Sequence, residues 1–175
     1  MGDIYIRREL PYPPGLNTGF VTGCARLAVD SIVNKIRSSD LDEFGFVLWE
    51  LSISLVDDSE IRDINNRFRN IDEPTDVLSF PQNEPEEIKE FLETAVPIAK
   101  LVLGDVVISL EWVARKAEND SEVGRRLFAW MMIHGILHLF GFDHDSAKME
   151  TLMRKEEDRI LLELEDFISG VAKPV

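Results

Sequence analysis

An α+β domain, built from a small mixed β-sheet packed with helices and occupying residues 1–175 as one unit, is the fold this sequence predicts. Three observations carry the prediction. Short β-branched runs alternate with segments of helical period. At 175 residues, 45% hydrophobic and 30% charged, the chain is long enough for one sizeable core and too apolar to be disordered. All three histidines fall in one apolar window, HGILHLFGFDH, at His134, His138 and His144.

The elements follow in order. DIYIRREL (3–10) alternates and predicts an edge strand, and PYPPG after it is a turn. Apolar positions at Ala25, Leu27, Ala28, Ile32, Val33 and Ile36 predict a helix over 22–37. FVLWELSISLV (46–56) reads as a strand. DDSEIRDINNRFRN then opens acidic, with Asp58 or Ser59 as cap, and places Ile61, Ile64 and Phe68 on one helical face. TDVLSFP (75–81), bracketed by Pro74 and Pro81, suits an edge strand. The acidic stretch 83–99 reads as a surface excursion with room for a short helix. KLVLGDVVISL (100–110) is a further strand, where Gly104 marks a bulge or a close approach. A helix over 111–119 leads to the histidine helix, capped by Ser121 with Gly124 in its first turn. A last amphipathic helix covers 147–168. Trp49, Trp112 and Trp130 sit in periodic apolar segments and are assigned to the core.

Charge and cysteine content narrow the setting. A net charge of −14 disfavours general phosphate binding, so a local field would have to carry any nucleic-acid contact. The acid concentrates in 83–93 and 156–166. Basic residues gather as Arg62, Arg67 and Arg69, as Arg115 and Lys116, and as Arg125 and Arg126; all except Arg69 read as solvated helix faces. One cysteine, Cys24, excludes an intramolecular disulfide and fits a reducing compartment. The N-terminal MGDIYIRREL has no apolar signal core, and the apolar run 127–142 is short and holds two histidines. The expectation is a cytoplasmic protein without a membrane span.

The histidine window carries the chemistry. His134 and His138 stand one helical turn apart and share a face. Gly141 can end the helix with positive φ and turn His144 back toward them. Three nitrogen ligands then surround one divalent transition ion, most naturally Zn2+ with Ni2+ also accommodated, and a fourth position stays open. The result is a zincin-like metal helix carrying HxxxHxxGxxH. Metzincin-type proteases place Glu directly after the first His as general base, whereas this chain has Gly135. Peptide hydrolysis by that route is disfavoured. A closed structural site would want a fourth ligand, and Cys24 lies far away in sequence; Asp143 or Asp145 could close the site or accept an imidazole N–H instead.

With NNRFRNIDEPTDVLSFP, LGDVVIS and HGILHLFGFDH in this order, the sequence resembles the YbeY family of bacterial metal-dependent endoribonucleases over most of 51–157. The resemblance implies a single-strand-specific endoribonuclease of ribosomal RNA maturation, including 16S rRNA 3′-end processing, and of ribosome quality control. Its partners would be ribosomal RNA, the ribosome and ribosome-assembly proteins. It implies a zinc-type ion on His134, His138 and His144, and a catalytic Arg69, whose guanidinium can meet two phosphate oxygens at once. Asn65, Thr75, Asp76, Ser79 and Asp105 also fall at motif positions. Thr75 and Ser79 could donate to phosphate or sugar, and Asp76 could orient a ligand as Asp143 could; turn chemistry accounts for such residues equally well. Two other functions stay open: a zinc peptidase or amidase, and a non-catalytic ribosome-associated module with a structural metal.

Overall fold

Four strands make one sheet in the order β1–β2–β4–β3: β1 Gly2–Arg8, β2 Leu48–Val56, β3 Val77–Pro81 and β4 Lys100–Ser109. The computed structural model describes residues 2–37, 48–94 and 100–170. β1 runs parallel to β2 and β2 parallel to β4, while β3 is antiparallel to β4, so the sheet is mixed as expected. β1 and β3, the two strands expected at edges, are the edges. Pro81 ends β3 where a missing N–H costs no central ladder bond. In β4 the register slips: Glu50 pairs with Val102 and Leu51 with Gly104, leaving Leu103 as the bulged residue. Gly104 itself has φ +133°, and a Cβ there would collide with the Phe80 carbonyl oxygen. Bulge and close approach therefore coincide.

Seven helices complete the described fold: α1 Thr18–Ile36, α2 Asp58–Arg69, α3 Pro85–Thr94, α4 Leu110–Ala117, α5 Ser121–Leu139, α6 Ala147–Glu163 and α7 Glu165–Ile168. Three details correct the sequence reading. α1 begins earlier than residue 22, because the Asn17 side chain accepts from Phe20 N at 2.9 Å and nucleates the first turn through Thr18 and Gly19. The caps of α2 and α5 sit one step upstream of the expected ones: Asp57 accepts from Glu60 N, and Asp120 from Glu122 N and Val123 N. The last helix breaks at Leu164 into α6 and the short α7. The short helix allowed for in 83–99 is α3. Residues 46–47 of the expected strand and 95–99 of the acidic stretch lie outside the described residues. Among the described residues no helix is long and apolar enough to cross a membrane.

The two sheet faces are unequal. α1 and α5 cover one face, packing Val21, Ala25, Phe128, Met132 and Ile136 against Leu51, Ile53, Val106 and Ile108. Each fully buried valine, leucine, isoleucine, phenylalanine or methionine side chain among them contributes about 1.5–3 kcal/mol. Among the described residues α2 packs on the other face, through Val56, Ile61, Leu78 and Val107. Phe68, near the end of α2, meets Phe80 of β3 edge-on at 5.1 Å. That contact brings the C-terminus of α2 to the β3 edge, beside the end of α5. Trp49 is fully buried, while Trp112 and Trp130 are half-buried against the main core.

Candidate metal centre

The last two turns of α5 and the loop after it build the centre. His134 and His138 project from one face of the helix, with Nε2 atoms 3.1 Å apart. Gly141 has φ +84° and donates to His138 O, and Phe142 N donates to Leu137 O, closing the helix end and reversing the chain. A Cβ at Gly141 would collide with the Pro85 ring at the start of α3, so space and backbone both demand glycine. The reversal returns His144, and one nitrogen from each ring lies within 4.8 Å of the others. Two nitrogens bound tetrahedrally to zinc sit about 3.3 Å apart, given Zn–N bonds of about 2.0–2.1 Å. The observed Nε2 separation fits that geometry, and three imidazoles suit a zinc- or nickel-class ion.

Each ring is held from behind. His134 Nδ1 lies 2.6 Å from Glu157 Oε1. His144 Nδ1 lies 2.9 Å from Asp143 Oδ1, which also accepts from the His144 backbone N–H at 2.7 Å. The His138 ring hydrogen-bonds the Phe142 backbone; burial, then the neighbouring His134 and His144, lowers its pKa from the ordinary histidine value. A neutral imidazole is the form that binds a metal.

The expected Asp143 is therefore at an imidazole, while Asp76 is not. Its Oδ1 accepts from Val77 N and from the Thr75 hydroxyl, fastening the turn into β3. The sequence reading missed Glu157, hidden in an acidic run. A signal existed: Met153, Glu157, Ile160 and Leu164 fall at helical spacing and are all buried, so a carboxylate sits within an apolar stripe.

The centre opens into a cleft. Two hollows of about 440 and 470 Å³ share Arg69, Ser79, His138 and Asp143. One extends past Gln82 and Glu87, the other past Thr75, Asp76 and Asp145. Arg69 is exposed and, among the described residues, makes no ion pair or hydrogen bond. Of the other two arginines in its segment, Arg62 bridges to Asp72 at 2.8 and 3.0 Å and Arg67 lies over the Phe68 ring at 5.4 Å. Of the two other basic groups, Arg115 pairs with Asp58 at 2.6 Å, Arg126 with Glu165, and Arg125 donates to Ile168 O. Asn65 is buried and donates to Glu73 O, which fixes the loop beyond α2. Asp105 lies outside the cleft lining.

Gly135 faces the sheet. A Cβ there would stand 2.8 Å from Val106 Cγ1, 3.1 Å from Ser79 Oγ and 3.2 Å from Val77 Cγ2. The close approach of α5 to β3 and β4 occupies the space a glutamate would need. Ser79 Oγ donates to Gly135 O at 3.0 Å across the same contact. The hydroxyl protons of Ser79 and Thr75 are thus engaged within the fold, and their free lone pairs remain for the cleft.

Known proteins are similar to this chain over much of its length. The description "Endoribonuclease YbeY" matches residues 24–165, a span that holds Arg69, the three histidines and Glu157. Endoribonuclease YbeY of Heliobacterium modesticaldum is 40% identical over 74% of this chain and 80% of its own length. That of Caldanaerobacter subterraneus is 41% identical over 74% and 83%. A Thermotoga maritima protein solved in solution shares the fold, with TM-score 0.53 and 24% identity over 99% of this chain and 98% of its own.

Proposed function

The chain belongs to the Endoribonuclease YbeY family, and from that premise we propose that it cleaves RNA at the three-histidine centre with one divalent transition ion, Zn2+ before Ni2+. The observation that carries the reading is the convergence on a single cleft of three imidazoles and Arg69, an arginine that makes no ion pair or hydrogen bond among the described residues. When bound, the ion supplies Lewis acidity at the scissile phosphate. Arg69 meets the charge that builds on the non-bridging oxygens, where a forked guanidinium binds two at once. Ser79 and Thr75, with their protons engaged elsewhere, accept from ribose hydroxyls rather than donate to phosphate. Asp143 orients the His144 imidazole.

The substrate is single-stranded, because the phosphate must reach a recessed centre without melting a duplex. Asp76, Glu84, Glu87, Asp143 and Asp145 line the same cleft against one arginine. Affinity for free RNA is therefore low, and a ribosomal context supplies what the cleft lacks. The family resemblance makes that RNA ribosomal, with a cytoplasmic role in maturation at the 16S rRNA 3′ end and in ribosome quality control, and with ribosomal or assembly proteins as partners. The peptidase alternative lacks its base, since the packing around Gly135 leaves no room for one on the helix. A purely structural metal would not need the open cleft.

The test is cleavage of a labelled single-stranded ribosomal RNA fragment against casein, by zinc-loaded wild type and Arg69→Ala. RNA cleavage that falls in the variant, with casein intact, supports the assignment. Casein cleavage, or RNA cleavage at equal rates by both proteins, overturns it.

A further inference from the structure

We propose that Glu157 is a positioning residue of the metal centre, reaching from α6 to hold the His134 ring so that Nε2 is aimed at the ion. The proposal rests on the metal reading above. Among the described residues three polar side chains are buried: Asn65, Ser109 and Glu157. Asn65 fastens the loop after α2. Ser109 caps α4 by accepting from Trp112 N, and donates to Asp58. Only Glu157 is ionisable, and neither task is available to it in the middle of a helix.

Among the described residues its one partner is His134 Nδ1, at 2.6 Å, and no lysine or arginine there pairs with it. Arg154 lines the same small hollow beside Trp130 and Met153, but its guanidinium is paired with Glu150 at 2.6 Å. A carboxylate buried beside a methionine without a cation is a net cost to the fold, and an apolar residue would pack there more favourably. The carboxylate instead provides two things a metal centre needs. It accepts the Nδ1 proton, which fixes the tautomer and the ring orientation and leaves the Nε2 lone pair free. It also places negative charge behind a ligand, offsetting the charge of a dication. The geometry agrees: the Nε2 so freed is the atom 3.1 Å from His138 Nε2. Glu157 lies on the far nitrogen, so it orients a ligand without being one.

The experiment compares the full chain as wild type, Glu157→Gln, Glu157→Ala and His138→Ala. Zn2+ affinity is measured by competition with a chromophoric chelator, and thermal unfolding is followed on the metal-free proteins. Glu157→Ala is expected to weaken zinc binding by about 10–100-fold. Glu157→Gln should lose less, because its amide oxygen still accepts from Nδ1. Both metal-free variants should be at least as stable as wild type. Zinc affinity equal to wild type in both variants would overturn the proposal, as would a loss seen only where the metal-free protein has unfolded. Failure of wild type itself to bind zinc would remove the underlying metal reading, a result distinct from equal binding by all but His138→Ala.

Discussion

His134 and His144 serve one centre but are held in opposite ways. His134 lies on a core helix with its side chain 18% exposed, and its acceptor comes from another helix 23 residues along the chain. His144 lies on a loop with its side chain 55% exposed, and its acceptor is the preceding residue. The first arrangement is shielded from water and salt, and needs the whole fold to assemble it. The second is local and screened. The contrast teaches that one half of the centre is fixed by tertiary packing and the other is closed by a turn.

Deleting a ligand tests the contrast most strongly. His134→Ala and His144→Ala should both abolish stoichiometric zinc binding, yet differ in the metal-free fold. His134→Ala leaves the Glu157 carboxylate buried without its partner and should cost about 2–3 kcal/mol in urea unfolding. His144→Ala should cost less than about 0.5 kcal/mol. Equal costs would show that the buried pair is not distinct. Next in size, Arg69→Ala should lower RNA cleavage by about 100-fold, with zinc affinity unchanged. A fall in zinc affinity would place the arginine in the ligand shell rather than across the cleft. Smaller again, Asp143→Ala should weaken zinc binding by less than about tenfold, and by less than Glu157→Ala does, because an exposed acceptor is readily replaced by water. The reverse order would break the comparison.

The same division decides what the sequence could reveal. The histidine spacing, Gly141 and the alternation of strands with helices are local features, and each is visible in a short stretch of chain. So are the two edge strands, through alternation in 3–10 and through Pro74 and Pro81. Glu157 meets His134 only because α6 packs on α5, and its position among Glu156, Asp158 and Glu163 disguises it as part of a solvated face. The role of Asp76 was ambiguous for a related reason: the same residue can fasten a turn or orient a ligand, and only the observed bonds to Val77 and Thr75 assign it to the turn. Gly135 showed that the helix carries no base. The reason, close approach of Val106 and Ser79, needed the folded sheet.

The most direct measurement is the rate of single-stranded ribosomal RNA cleavage as Zn2+ is titrated into metal-free wild type, with His138→Ala purified in parallel. The account predicts cleavage that rises with bound zinc and saturates near one ion per chain, and none by the variant. Cleavage by the variant at the wild-type rate, or by wild type in excess chelator, would contradict it.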